Sequence, residues 1–245
     1  TSVIITGSDS GMYECMEWNV RPLHRKPLFV LVPAHTDHPD HPPAHAGQRA
    51  LLPAIWGLIP GAASSAAPNP EINHFSMFNA RAETLLEKPS FRGLVSRTSG
   101  RCIVSIDGFF EWKKLNTSTK QPFFVHIGHG PCLLAALYKT IGLSDGSGSQ
   151  MTTYTVLTTS SCEAFRVIHG RQPIFLTPEQ AAQWLHTAGG DAQTAELLTS
   201  LQNSQWDTNG TCFVCAGAGA ALYYAGSKCN ESDQHACCCR LMPHI

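Results

Sequence analysis

The sequence predicts an α+β fold, with a single domain of curled mixed or antiparallel β-sheets and short peripheral helices. Short apolar runs follow one another along most of the chain, and turn residues separate them. Helical signals are fewer and shorter than these strand signals. A chain of 245 residues is long enough for one large domain, and we find no internal repeat or strong linker within it.

Two apolar runs, 28–33 (LFVLVP) and 50–60 (ALLPAIWGLIP), predict the first strands. The segment between them, 34–48, is rich in histidine and proline. Its histidines could bind a metal ion, but the prolines and the lack of flanking structure favour a loop. A second loop is predicted at 61–70.

Helices and strands alternate over the rest of the chain. Two short helices are predicted at 81–88 and 91–97, separated by Pro89. Further strands are predicted at 101–112, 122–127, 132–139 and 154–159. The helix predicted at 177–186 has a complete start signal, with Thr177 at the cap, Pro178 in the first turn and Gln180 in the capping-box position.

The formal net charge is −1, so no global basic field indicates a nucleic-acid partner. Lysine and arginine nevertheless exceed acidic residues within 79–121. This local excess could contact phosphates, or it could be a solvated surface of mixed charge. Both interpretations stay open at this stage.

Residues 1–20 lack the pattern of a signal peptide, and no run is long enough for a membrane span. We therefore expect an intracellular monomer, nuclear in a eukaryote and cytoplasmic in a bacterium, although the start at Thr1 allows a missing upstream segment. Six of the ten cysteines lie within 212–239, and the others are scattered singly, as free cysteines usually are.

The cysteine-rich tail, 206–245, could hold zinc, because Cys212 and Cys215 have ligand spacing and further Cys and His residues follow. The second half of a zinc motif is missing from it. We therefore favour a divergent tail and expect neither a metal ion nor a cofactor.

Glu111 ends the apolar run of DGFFEW, 107–112. A carboxylate on a strand usually points to solvent. Held among Phe109, Phe110 and Trp112, it would be partly desolvated, which favours its neutral form and suits it to proton transfer.

Three other stretches carry polar or aromatic residues of interest. Asn79 and Arg81 precede a predicted helix, Trp56 adjoins a glycine, and His169 and Arg171 lie two apart, which in an extended segment places both on one side. Each also has a structural interpretation: Asn79 as a helix cap, Trp56 as a core residue and His169 as a hydrogen-bonded turn residue.

Taken together and in order, these motifs resemble the SRAP family (SOS-response-associated peptidase). The matching stretches are WNVRP, WGLIP, NARAETLLEKPSFR, RCIVSIDGFFEWKK, QPFF and VLTTSSCEAFRVIHGRQPIFLTPEQAAQWL. They span residues 18 to 186. The resemblance implies a domain at 18–205, with a divergent N-terminus at 1–17 and the tail at 206–245.

The resemblance also implies a chemistry. Members of this family process abasic sites in single-stranded DNA. An N-terminal cysteine condenses with the ring-opened aldehyde of the abasic sugar and closes a thiazolidine ring, which links protein and DNA covalently. By position, the resemblance assigns acid/base catalysis to Glu111, proton transfer to His169, cysteine orientation to Asn79, and DNA binding to Arg81, Arg171, Thr158, Trp56, Trp112 and Asn19.

The sequence departs from the family at both ends. The family begins, after removal of its initiator Met, with Cys-Gly-Arg, which 1–19 does not match, and Cys15 is internal. The family's last strand is replaced by the tail. Three functions therefore stay open: a repair protein with an upstream segment that carries the cysteine, a non-catalytic single-stranded-DNA binder, and a peptide hydrolase that uses Glu111 and His169.

Overall fold

The computed structural model describes residues 3–6, 12–15, 28–33, 49–59, 77–127, 131–142, 150–187, 190–205, 212–216 and 223–225. The strands are β1 (Val3–Thr6), β2 (Met12–Cys15), β3 (Leu28–Pro33), β4 (Arg49–Trp56), β5 (Asn79–Arg81), β6 (Arg101–Ile106), β7 (Phe109–Lys114), β8 (Lys120–Ile127), β9 (Cys132–Gly142), β10 (Gln150–Ser160), β11 (Arg171–Pro173), β12 (Phe175–Leu176), β13 (Cys212–Ala216) and β14 (Tyr223–Ala225). The α-helices are α1 (Pro89–Val95), α2 (Glu163–Arg166), α3 (Pro178–His186) and α4 (Asp191–Asn203).

The chain divides into two compact units. Unit 1 comprises Thr1–Ile106, Cys132–Ser160 and Gln172–Gln205, and unit 2 comprises Asp107–Pro131, Ser161–Arg171 and Trp206–Ile245. The domain boundaries inferred from the sequence, 18–205 with divergent ends, stay a prediction. No helix in the described part of the chain is long and apolar enough to cross a membrane.

The larger sheet has eight strands in the order β11–β10–β4–β3–β6–β9–β12, with β5 on β10. Strand β10 runs parallel to β4 and β5 and antiparallel to β9. Strand β9 pairs with both β6 and β10, although β4 and β3 separate these two strands in the sheet order. The sheet therefore curls. The predicted class, α+β with curled mixed sheets, is confirmed.

Strand β10 is buried on both faces. Its residues from Thr152 to Thr159 are all buried, and most of them are β-branched. A strand with both faces covered loses the usual alternation of polar and apolar residues. The hydroxyl of Thr153 accepts a hydrogen bond from the backbone N–H of Ile59 (3.1 Å), which satisfies one of the polar groups that this burial removes from water.

Helices α3 and α4 cover part of this sheet in one apolar cluster. The cluster includes Trp184 and Leu185 of α3, Leu198 of α4, and Leu137 and Leu157 of the sheet. The capping box of α3 is confirmed: the Thr177 hydroxyl accepts from the Gln180 backbone, and the Gln180 side chain accepts from the Thr177 backbone. Helix α4 was not predicted from the sequence.

The prediction for 81–88 was wrong in extent. Arg81 ends β5, and only one 3₁₀ turn follows, at Ala82–Thr84. Pro89, predicted to separate two helices, lies in the first turn of α1. Proline suits that position because its missing N–H would have had no helical partner there.

The strand predicted at 101–112 is broken at Asp107 and Gly108, so β6 and β7 belong to different sheets. A Cβ at Gly108 would lie 2.5 Å from the carbonyl oxygen of Val125 and 2.6 Å from Cζ of Phe124. Only glycine permits this close approach of the chain to β8. The break therefore follows from backbone packing that the apolar pattern does not reveal.

A buried arginine joins β6 to three helices within unit 1. The Arg101 guanidinium donates to the carbonyls of Val95 (2.8 Å), Trp184 (3.3 Å) and Thr187 (3.1 Å), and to the Thr194 hydroxyl (3.0 Å). These carbonyls lie at the C-terminal ends of α1 and α3, where helices leave acceptors unpaired and favour a positive charge. Burial lowers the pKa of Arg101 to about 10, so the side chain stays charged at neutral pH.

Unit 2 contains a four-stranded sheet in the order β14–β13–β8–β7. The pairing of β13 with β8 brings Cys212–Ala216, which the sequence analysis placed in a divergent tail, into this sheet. Among the described residues no group of three or more His, Cys, Asp and Glu could hold a metal ion. The loops at 34–48 and 61–70, and Cys229, His235 and Cys237 of the tail, lie outside the described residues.

We expect Arg101→Met to lower the free energy of unfolding by about 3 kcal/mol or more, because several buried acceptors lose their donor at once. Arg97→Met is the matched control, since Arg97 is exposed and its guanidinium donates to one carbonyl, that of Gly93. The control should stay within about 0.5 kcal/mol of the unmodified chain. Urea denaturation measures both, and equal losses in the two variants would contradict this role of Arg101.

Candidate active site

A pocket of about 470 Å³ lies in unit 2. It is lined by two stretches of chain, the β7–β8 hairpin and the segment that starts at the last residue of α2. They contribute Glu111, Trp112, Lys113, Lys114, Lys120, Arg166, Val167, Ile168, His169 and Gly170. Side chains from both faces of β7 take part, and β7 is the edge strand of the described sheet. The pocket therefore runs along that edge.

Glu111 is half-buried at this pocket. Its carboxylate accepts a hydrogen bond from the backbone N–H of Trp112 (3.0 Å). Side chains alternate along a strand, so Glu111 shares its face with Phe109, and Phe123 is its cross-strand partner. The expected aromatic surroundings are thus only partly correct, because Phe110 and Trp112 point to the opposite face.

That opposite face carries a row of aromatic side chains. The ring of Phe110 lies 6.4 Å from Trp112 and 5.1 Å from Phe124, and Phe124 stacks on His126 at 5.7 Å. Trp112 ends the row and remains 48 % exposed, whereas His126 is buried. The row therefore fixes Trp112 while leaving much of its indole open to a ligand.

His169 is exposed and held by the backbone two residues on. Its Nδ1 lies 3.0 Å from the carbonyl oxygen and 3.2 Å from the amide nitrogen of Arg171. A protonated Nδ1 donates to the carbonyl, and an unprotonated Nδ1 accepts from the N–H. The same anchor thus suits the neutral and the charged ring, and the imidazole need not move when Nε2 gains or loses a proton.

This anchor also corrects the prediction of an extended segment from His169 to Arg171. The chain bends there, so that the His169 ring meets the backbone of Arg171. Two further hydrogen bonds hold the bend, from the Ser161 hydroxyl to the His169 carbonyl (2.8 Å) and from the Ser161 N–H to the Gly170 carbonyl (3.2 Å).

The pocket lining carries four cationic side chains and one carboxylate. Lys113, Lys114 and Lys120 come from the hairpin, and Arg166 comes from the end of α2. A concave surface with such an excess attracts anionic ligands. The three lysines belong to the basic excess noted within 79–121, but no individual role was predicted for them, and Arg166 was not among the predicted site residues.

Four of the candidate residues that the structure describes belong to unit 1. Asn79 and Arg81 are exposed on one face of β5, with Ala80 buried on the other, and Thr158 is the partner of Arg81 on β10. The Thr158 side chain is only 9 % exposed. Neither Asn79 nor Arg81 caps an α-helix, since a strand and a 3₁₀ turn occupy this stretch.

Trp56, the fourth of these residues, is half-buried in unit 1. Its Nε1–H donates to the carbonyl of Phe78 (2.9 Å), and the two rings meet edge to face at 6.2 Å. The next residue, Gly57, has φ of 129°, a conformation that side-chain-bearing residues rarely adopt. Asn19 lies outside the described residues.

The family model described as SOS response associated peptidase (SRAP) matches residues 7–210. Among curated proteins, the chain is 40 % identical over 145 residues to abasic site processing protein YoqW of Bacillus subtilis, covering 58 % of this chain and 60 % of that protein. It is 27 % identical over 180 residues to abasic site processing protein HMCES of Rattus norvegicus, covering 63 % of this chain and 50 % of that protein. The chain thus spans between half and two thirds of these relatives.

Two solved structures share the fold. A protein from Bacteroides thetaiotaomicron superposes with a TM-score of 0.53 at 30 % identity, covering 60 % of this chain and 63 % of that one. A protein from Bordetella bronchiseptica gives a TM-score of 0.55 at 18 % identity, covering 76 % of this chain and 82 % of that one.

Acid should weaken the aromatic row through His126. Burial lowers the pKa of His126, so the unfolded chain binds the proton more readily than the folded chain does. The stability that the neutral ring contributes is present above the unfolded pKa of about 6.5 and is lost as the pH falls through the lower folded value.

We therefore expect His126→Phe to reduce the loss of thermal stability between pH 7 and pH 5. Circular dichroism melting curves at several pH values measure this difference. His186→Phe is the control, because His186 lies in α3 of unit 1. A loss in His126→Phe as large as in the unmodified chain would show that another group causes the acid sensitivity.

Proposed function

The chain belongs to the SOS response associated peptidase (SRAP) family, and we propose on that basis that it binds single-stranded DNA at abasic sites and processes them. The observation that carries this proposal is the pocket in unit 2. It combines a half-buried carboxylate, an anchored imidazole, an exposed indole and four cations. Such a site offers proton transfer, base stacking and phosphate binding together. Relatives named abasic site processing proteins support the choice of substrate.

The finer proposal is a covalent crosslink through an N-terminal cysteine. The α-amine of such a cysteine adds to the C1′ aldehyde of the opened abasic sugar, and loss of water gives a Schiff base. The thiolate of the same residue then adds to the imine carbon, its electron pair forms the C–S bond, and the imine nitrogen takes a proton. The five-membered ring closes only when the amine and the thiol belong to one residue. Any protein that performs this step therefore requires a cysteine at its N-terminus.

We assign the proton transfers to Glu111 and His169. Formation of the Schiff base requires protonation of the departing hydroxyl, and ring closure requires proton delivery to nitrogen. A half-buried carboxyl group suits the first role. The Nε2 of His169 exchanges a proton without ring movement, which suits transfer to the sugar oxygen and the reverse reaction.

The remaining assignments follow the family positions. We propose that Asn79 orients the cysteine, that Arg81 and Arg171 bind phosphates, and that Thr158 contacts the DNA backbone. Exposure of Asn79 and Arg81 on one face of β5 supports their roles. We further propose that Trp56, Trp112 and Asn19 contact the bases, with Trp112 the better placed for stacking because of its exposure.

The second candidate is a single-stranded-DNA binder without the covalent step. The excess of cations over carboxylates in the pocket favours it, since phosphate binding needs no nucleophile. Self-removal of an initiator Met, the peptidase activity implied by the family name, would use the same groups at the same terminus. We rank general peptide hydrolysis last.

We expect Arg81→Ala and Arg171→Ala each to weaken single-stranded-DNA binding by roughly 1–3 kcal/mol and to flatten its salt dependence, because each removes a phosphate contact. Fluorescence anisotropy across a range of salt concentrations measures both quantities. Arg97→Ala is the control, since this exposed arginine precedes a 3₁₀ turn of unit 1 and has no assigned role in DNA binding. Unchanged affinity and salt slope in both variants would refute the phosphate-binding roles of the two arginines.

We expect Glu111→Gln to slow crosslinking by on the order of 10²-fold in a chain extended upstream by Cys-Gly-Arg, because glutamine keeps the shape and cannot transfer the proton. The exposed Glu87→Gln is the control. Denaturing gels of the reaction with abasic oligonucleotide give the rates. Equal rates for Glu111→Gln and the parent would rule out proton transfer by Glu111, and a band formed without the extension would reveal another nucleophile.

A further inference from the structure

The end of the β7–β8 hairpin carries two like charges in direct opposition. Lys114 and Lys120 are cross-strand partners, and both side chains are exposed. Like charges directly opposite each other on a sheet are destabilising. Neither lysine forms an ion pair with a carboxylate within the described part of the chain. Among the described residues the pair therefore has no neutralising group, and a bound anion would supply one.

The hairpin holds this pair in a defined position. The Asn116 side-chain oxygen accepts hydrogen bonds from the backbone N–H groups of Ser118 (3.0 Å) and Thr119 (2.7 Å). The Leu115 N–H donates to the Thr119 carbonyl (3.0 Å) and closes the turn. Because the turn is bonded internally, the two lysines extend from strand positions rather than from a loose loop.

The lysine pair lines the same pocket as Glu111 and His169. Alternation along β7 places Lys114 on the face of Trp112, and Lys120 shares that face as the partner of Lys114. A stacking surface and a twofold positive charge thus lie side by side. A nucleotide offers the matching groups, a base and a phosphate.

We propose that Lys114 and Lys120 jointly bind one phosphate of the DNA strand that flanks the abasic sugar, while the neighbouring base stacks on Trp112. Lys113 and Arg166 add positive potential to the same pocket. A strand rises about 3.3 Å per residue, so Lys114 lies about 10 Å along β7 from Glu111. The phosphate is therefore a flanking one. This inference rests on the proposed function and extends it to the phosphate and base that flank the abasic sugar.

The test is the double substitution Lys114→Gln and Lys120→Gln, with each single substitution beside it. Affinity for an abasic single-stranded oligonucleotide should fall by roughly tenfold at low salt in the double variant. The slope of log K against log salt should shrink by about 0.7 for the lost phosphate contact. The melting temperature should hold or rise, because the repulsion between the two lysines is gone. Lys88→Gln, an exposed lysine of unit 1, is the matched control and should change none of these.

A second measurement locates the contact. Oligonucleotides in which one phosphate at a time is replaced by a neutral methylphosphonate are titrated against the unmodified protein and the double variant. Replacement at one flanking position should weaken binding to the unmodified protein and leave the affinity of the double variant unchanged. Equal sensitivity of both proteins at every position would overturn the inference, as would a double variant that melts lower and binds normally.

The arginine variants distinguish failure of the lysine site from failure of the proposed function. If Arg81→Ala weakens binding and the lysine variants do not, the lysine site is wrong and the proposed function stands. If the unmodified protein does not bind single-stranded DNA, both are wrong.

Discussion

The buried guanidinium of Arg101 is the interaction on which the architecture of unit 1 depends. It lies over the Trp184 ring at 5.0 Å and is hydrogen-bonded only to neutral acceptors among the described residues. A buried charge without a carboxylate is costly unless oriented dipoles replace water around it. The carbonyls at the ends of α1 and α3 are such dipoles. Helix ends and arginine therefore satisfy each other, and loss of the guanidinium would leave buried acceptors unpaired.

The sequence predicted those elements of the fold whose signals lie within a few neighbouring residues. The capping box at Thr177 fixes the start of α3 within the chain itself, so it was readable from the sequence. Helix α4 was not, because the buried Leu197, Leu198 and Leu201 lie among polar residues and its N-cap, Gly190, makes no side-chain hydrogen bond. The break at Gly108 was also hidden, since the reason for it is the nearby backbone of β8.

The candidate site was likewise predicted from the sequence only in part. The sequence motifs singled out Glu111 and His169, family position gave them their roles, and one pocket contains both. Strand alternation within DGFFEW is enough by itself to separate Glu111 from Phe110 and Trp112. The role of Arg166 could not be foreseen, because its place in the pocket depends on how the segment after α2 returns to β7. The lysines of the hairpin could be recognised in the sequence as part of an excess of positive charge. Their place in the fold could not be predicted from it.

Two of the five tryptophans differ sharply in exposure, and they lie in different units. Trp184 is fully buried in unit 1, while Trp112 is 48 % exposed in unit 2. An indole in an apolar interior emits at shorter wavelength than one in contact with water, and only the latter is readily reached by a dissolved quencher. In a variant that keeps only these two tryptophans, local opening of either unit would therefore alter a different part of the emission spectrum. Such a variant would tell whether the two units unfold at once or in turn.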